Sequence, residues 1–440
     1  MPSYIIRSMR KMFPQCLKLS YKDTAQQNSY VTIPRVANSY EQTETAANVD
    51  EDIIDSLTGG RLVGSVTSFE NFAECPLRYY LRYGVDLKER EEFTFSPVNF
   101  GVVLHAVIRE VCDEIKKNGE SYYLISEEKR REMVKRSVSA ITDIYQNSIL
   151  KDSSRNSFMI KRMEDIADRT IWAMGEQLKC GDFVPFVFEH KFNMEVGDGD
   201  RKQLMSGTID RVDICENDTD VYVRIIDYKT GKKDFNIVKT YYGIDIQLMV
   251  YMEAAMKLVA KMRPGKNVLP AGVFYYNISD PIVSATTESA EEIEDKIKGE
   301  LRLKGMVNSD KDIAEKMDNT EGTSLNIPVS RKADGGFDSR RSKVMNTEQF
   351  NMLGRFVDVR AVDTADRIAG GDIRRSPYKD GQFSSCDRCP YGAVCGFSVD
   401  LPGCNYRKLK KFDDEVLWNN IKEGVDENGK KMDTGAEERD

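Results

Sequence analysis

One stretch constrains this chain more than any other: residues 207–231, GTIDRVDICENDTDVYVRIIDYKTG. It reads as two strands joined by a polar turn around Glu216-Asn217-Asp218-Thr219. Side chains alternate faces along a strand, so residues two apart point the same way. Asp227 and Lys229 therefore project from one face of the second strand. Asp210, on the first strand, meets them if the strands pair around that turn. Two carboxylates and a lysine at a strand end suit a divalent cation and an activated water.

The chain must then supply a body around that spot. Its 440 residues suffice for one large or two modest domains. The 40% hydrophobic and 31% charged content fits a soluble globular protein. No run of about 18 apolar residues exists, which excludes a transmembrane helix. The N-terminus, MPSYIIRSMRKMFPQCLKL, lacks a distinct apolar core and a small-residue cleavage site, so it is not read as a signal peptide. A cytoplasmic location is the default expectation. The net charge of -8 is uneven: residues 41–55 and 412–440 each carry -6, leaving +4 on the remainder. A positive groove in that remainder is neither supported nor excluded by the total.

Along the chain, residues 1–60 read as irregular, with an acidic, disordered stretch near 38–55. Residues 61–405 form the body, and 406–440 a charged, poorly patterned tail. Thr67 or Ser68 is a candidate cap for a helix running to about Tyr83. Pro97 opens a helix to about Lys117, with Val103, Leu104, Val107, Ile108 and Val111 at helical spacing. Helices at about 126–150 and 157–179 make a helical insertion over 119–180. Strands follow at 183–196, with Glu189 inside, then 203–214 and 221–229. A helix is expected at 237–262, a buried strand at 272–278, and helices at 288–304 and 347–370. The segment 306–345, rich in Asp, Gly, Ser, Lys and Arg, is expected to be a mobile loop. No internal repeat is visible.

Hydrolysis of a phosphodiester needs a metal at the phosphate, an oriented water and a stabilised leaving oxygen. Asp210 and Asp227 offer hard oxygen ligands for Mg²⁺ or Mn²⁺. Lys229 suits holding the water or balancing transition-state charge. An isolated Asp-x-Lys is usually a surface salt bridge, so neighbours must carry the reading. Gln247 and Tyr251 lie four apart on the expected helix and share a face. His105, one of only two histidines, lies within FGVVLHAV. Such a histidine is usually a core residue, but it is also a candidate imidazole ligand.

Nine cysteines in a large chain argue against a disulfide framework and for metal ligation. Cys386-x₂-Cys389-x₅-Cys395 needs a fourth ligand. Cys75 and Cys404 are the candidates, and from spacing alone zinc with Cys404 is the plain reading.

Taken together, 101–105, 207–213, 227–230 and 241–251 resemble the RecB-type branch of the PD-(D/E)xK nucleases. More narrowly they resemble the C-terminal nuclease domains of the AddB family, found in bacterial AddAB helicase–nucleases. The resemblance covers about residues 60–400, with residues 1–20 similar to AddB sequence just before that domain. It implies an α/β fold with a small central mixed β-sheet flanked by helices. It implies that His105, Asp210, Asp227 and the Tyr228 backbone carbonyl ligate Mg²⁺. Lys229 is then catalytic, with Gln247 and Tyr251 in support, and Glu189 a possible group behind the ligands. Arg211 and Asp213 are read as a structural salt bridge. The segment CPLRYY matches the family's upstream cysteine motif, which shifts the fourth ligand to Cys75. Cys75, Cys386, Cys389 and Cys395 would hold a [4Fe–4S] cluster stapling the two ends of the domain, leaving Cys404 extra. Closing so long a loop removes unfolded-state entropy, though only logarithmically with length. Cys16, Cys112, Cys180 and Cys215 are read as ordinary thiols.

The implied function is DNA exonuclease or endonuclease activity in double-strand-break repair, on the 5′-ended strand. The partners are DNA ends or single strands, and an AddA-type helicase. No GxxxxGK(S/T) motif occurs in this chain, which leaves a truncated, split or stand-alone nuclease open. The alternatives are a CRISPR-adaptation-type exonuclease, a non-catalytic DNA-binding scaffold, and a zinc-only structural module.

Overall fold

The computed structural model describes residues 63–88, 97–144, 154–196, 203–284, 289–401 and 404–436. The expected irregular segment 1–60 and Cys16 lie outside the described residues. The chain enters through β1 (Val63–Ser65) and α1 (Val66–Glu74). Ser65, not Thr67 or Ser68, is the cap: its Oγ accepts from Ser68 N at 3.1 Å. The helix expected to reach Tyr83 breaks at Cys75, whose backbone is extended (φ -166°, ψ 117°). Pro76 disfavours a helical residue before it, so α2 (Pro76–Tyr79) starts anew and widens into a π-type turn over Tyr80–Gly84. Cys75 thus sits at a bend.

Three helices follow: α3 (Pro97–Lys117), α4 (Glu127–Ile144) and α5 (Ser154–Lys179). The strands are β2 (Val184–Val196), β3 (Gln203–Glu216) and β4 (Asp220–Lys229). The helix expected over 237–262 is split into α6 (Ile237–Tyr241) and α7 (Gln247–Met262). Gly243, at φ 76°, takes the left-handed turn that ends α6, a conformation costly for any residue with a Cβ. Gln247 therefore opens α7 instead of lying inside a longer helix. Then come β5 (Asn267–Asn277), α8 (Ala290–Glu300), β6 (Lys304–Asn308), α9 (Lys311–Met317), β7 (Val344–Met345) and α10 (Thr347–Ala369).

The strands form one mixed seven-stranded sheet, ordered β1-β3-β4-β5-β6-β7, with β2 also paired to β3. β3 pairs antiparallel with β2 along nearly its whole length. Its other edge is shared: Leu204–Ser206 pair with β1 and Arg211–Glu216 with β4. Residues 207–210 fall between these pairings, and Asp210 sits where β4 departs. The β4–α7–β5 unit is a parallel crossover. Helices cover both faces, as expected of a sheet buried on two sides. On one, Ile226, Tyr228, Phe274 and Tyr276 pack with the apolar stripe of α3–α5. On the other, Val223, Ile225, Val273 and Tyr275 pack with α1, α7 and α10.

Two expectations are corrected. Residues 306–345 are not a structureless loop. Asp310 caps α9, Asp318 accepts from Ser324 Oγ (2.7 Å) and Asn326 Nδ2 (3.1 Å), and Arg331 donates to the Ala314 and Thr320 carbonyls. Polar residues that read as a loop here satisfy buried backbone instead. The tail is also structured: after β8 (Tyr378–Asp380), β9 (Phe383–Ser384), α11 (Gly392–Cys395) and β10 (Arg407–Lys408), α12 (Asp414–Ala436) buries Leu417 and Ile421 in the core with α10. Among the described residues no helix is long and apolar enough to cross a membrane.

Candidate active site

The site lies where β3 and β4 part. Asp210 is 8% exposed, and its Oδ2 accepts from the Tyr228 backbone N–H at 2.6 Å, so the side chain fills the place of a ladder bond. Asp227 is 2% exposed, and its Oδ2 lies 2.6 Å from Lys229 Nζ without hydrogen-bonding geometry. Lys229 Nζ instead donates to Gln247 Oε1 at 2.9 Å, and Gln247 Nε2 donates to the Tyr251 hydroxyl at 2.8 Å. The Gln247–Tyr251 pair expected from spacing is thus joined to Lys229. Gly207 permits it: a Cβ there would come within 2.7 Å of the Phe192 ring and 3.1 Å of Tyr251. Those two rings pack edge to face at 5.6 Å.

α3 brings in His105. Its Nδ1 lies 3.4 Å from Asp210 Oδ1 and 3.7 Å from Glu189 Oε1. One ligand atom from each of these residues falls within 4.8 Å of the others, close enough for a single ion. Glu189 therefore stands beside His105 and Asp210, not behind them. Its backbone is in the left-handed region at φ 48°. For a residue with a side chain this costs about 1–3 kcal/mol and persists only where surroundings enforce it. The electrostatics fit a cation. Burial, together with the Asp210 charge, pushes the Asp227 carboxyl up to about 6 despite Lys229. Burial opposes a proton on His105, yet its bonds to Asp210 and Glu189 outweigh that and raise it to about 10. Crowded carboxylates and an orphaned buried oxygen are what a divalent ion relieves.

Sequence reasoning missed the residues beneath this centre. Glu70 on α1 accepts from the backbone N–H groups of Ile246 and Gln247. Lys233 Nζ pairs with Asp245 Oδ1 at 3.0 Å, which also accepts from the Tyr275 hydroxyl at 2.6 Å. No spacing marks these contacts; the one usable signal was an acid among Val66, Phe69 and Phe72. On the other side of the same strands, Asp213 is held by Arg211 (2.7 and 2.6 Å) and by Arg224 Nε (2.8 Å), all buried. Burial alone would raise the Asp213 carboxyl, but the two guanidiniums hold it below its usual value. This is the structural salt bridge expected of Arg211 and Asp213, with Arg224 added.

Away from the centre, Cys75, Cys386, Cys389 and Cys395 line one small cavity with Leu81, Tyr391 and Phe397. Burial raises the thiols of Cys75 and Cys395, and pushes Cys386 up to about 11. Cys404 is buried but does not line that cavity. Cys112 and Cys215 are core residues, and Cys180 is half-buried.

Comparison with known proteins agrees with this geometry. The family model of the PD-(D/E)XK nuclease superfamily matches residues 64–396. The AddB protein of the ATP-dependent helicase/deoxyribonuclease of Lachnoclostridium phytofermentans is 34% identical over 411 residues, 91% of this chain and 35% of that protein. The same-named proteins of Clostridium acetobutylicum and Caldanaerobacter subterraneus are each 34% identical, over 87% and 88% of this chain. The chain spans about a third of the length of these relatives. With a matched region that contains every element of the site, the chain belongs to the PD-(D/E)XK nuclease superfamily.

Proposed function

We propose that the chain is a metal-dependent DNA nuclease, the hydrolytic part of a helicase–nuclease that processes double-strand ends together with an AddA-type helicase. The observation that carries this is Lys229 Nζ, fixed between Asp227 and Gln247 beside the His105–Glu189–Asp210 group. Mg²⁺ or Mn²⁺ would be held by His105, Asp210, Asp227 and the Tyr228 carbonyl, with Glu189 close enough to share in it. When bound, the cation neutralises phosphate charge and acidifies a water.

The chain's own residues do the rest. The Tyr228 N–H fixes one oxygen of Asp210 and so aims the other at His105. Lys229 keeps its ammonium at the reacting phosphate, where it orients the attacking water and balances developing charge. Gln247, anchored by Tyr251, stops Lys229 from collapsing fully onto Asp227. The resemblance gives the 5′-ended strand as substrate.

Cys75, Cys386, Cys389 and Cys395 would hold a [4Fe–4S] cluster with a structural role, supported by their shared cavity and by the exclusion of Cys404 from it. Mg²⁺-dependent digestion of end-labelled linear DNA tests the activity; no cutting by wild type, or equal cutting by Asp227→Ala, would overturn it. Anaerobically purified protein should contain iron, and stoichiometric zinc without iron would refute the cluster.

A further inference from the structure

α7 begins without a cap of its own. Its N-cap residue is Ile246, which has no side-chain acceptor to offer, and no local side chain bonds the first turn. The first amides of a helix need an acceptor from elsewhere. That acceptor is Glu70, 176 and 177 residues earlier: its Oε1 takes the Ile246 N–H at 2.9 Å and the Gln247 N–H at 3.0 Å. A carboxylate at a helix N-terminus is also favoured by the helix dipole.

Glu70 is itself held firmly. β1 ties the start of α1 to β3 through pairs at Leu204–Ser206, just before Gly207. Ser65 caps α1, and Val66, Phe69 and Phe72 are buried along it. Burial pushes the Glu70 carboxyl up to about 7, with Lys233 opposing that shift and Asp245 adding to it. Gln247 is the residue whose backbone Glu70 holds and whose side chain takes the Lys229 ammonium.

We propose that Glu70 is a positioning residue for Lys229, fixing the first turn of α7 so that Gln247 spans Lys229 and Tyr251. This rests on the nuclease reading for its consequence in turnover, though not for its structural content. The loss of Glu70 frees the backbone of Gln247, and Lys229 then pairs with Asp227 alone.

Hydrogen exchange on the full chain tests it. In Glu70→Ala the amides of Ile246 and Gln247 should exchange at least about tenfold faster, while β5 amides stay unchanged. Glu70→Gln, which keeps an acceptor oxygen, should stay within about threefold of wild type. On end-labelled DNA, Glu70→Ala should lower kcat by about 10- to 100-fold with KM little changed. Glu70→Ala combined with Gln247→Ala should be no slower than the slower single variant, because the two act as one unit. Unchanged exchange in Glu70→Ala, or losses that multiply in the double variant, would overturn the proposal. The exchange result stands whether or not wild type cuts DNA, so failure of the nuclease reading is separately visible.

Discussion

Strands β3 and β4 carry two buried aspartates with opposite surroundings. Asp227 is 2% exposed and Asp213 0%. Asp213 faces α3–α5 and is saturated by Arg211 and Arg224, with its carboxyl held low. Asp227 faces α7, is crowded by Asp210, has an oxygen without a hydrogen bond, and titrates near 6. Both are costly to bury. At Asp213 the protein supplies the compensating charge itself. At Asp227 it supplies only Lys229, which is shared with Gln247. The difference separates a lock from a working site: unmet electrostatic demand is where an ion and a phosphate can act.

Exchanging the roles of the two aspartates is the strongest way to break this contrast. Asp227→Ala should cut DNA cleavage on the order of 10³-fold, while the melting temperature does not fall, because crowding at Asp210 is relieved. Asp213→Ala should do the reverse. It strands two buried guanidiniums and should cost about 3–5 kcal/mol in denaturant titrations, with activity per folded molecule retained. A stable Asp213→Ala would contradict the contrast.

The cysteine cavity sharpens it from outside. Cys75→Ala should lose its iron and melt about 5 °C or more below wild type, whereas Cys404→Ala should keep the iron. A smaller effect comes from pH. Asp227 has a raised carboxyl, so its contribution to stability is present below the ordinary carboxylate range and lost as pH rises through about 6. Thermal melts should therefore show stabilisation by Mg²⁺ appearing only as pH climbs through that value. Smallest is Gly207→Ala. The added Cβ pushes on Phe192 and Tyr251, and kcat should fall by about tenfold.

The centre was legible in the sequence where its parts are local. Period-two spacing placed Asp227 and Lys229 on one face, the apolar stripe of α3 carried His105, and four-residue spacing joined Gln247 to Tyr251. What was hidden depends on long-range partners. Glu70 meets residues some 176 positions away. The left-handed backbone of Glu189 comes from the place where pairing with β3 is strained, which no residue type announces. Gly243 marked the break before α7, but an unbroken apolar pattern from 237 to 262 masked it. In 306–345 the polar composition resembled a loop because capping residues and loop residues are the same types.

The central claim is that the unmet charge at Asp210 and Asp227 recruits a divalent cation for DNA hydrolysis. The most direct measurement is the cleavage rate of 5′-end-labelled linear DNA by the purified chain as Mg²⁺ is titrated near pH 8. The account predicts saturable, Mg²⁺-dependent cleavage that is abolished by chelator and by Asp227→Ala. Cleavage that proceeds equally with chelator, or that survives Asp227→Ala, would contradict it.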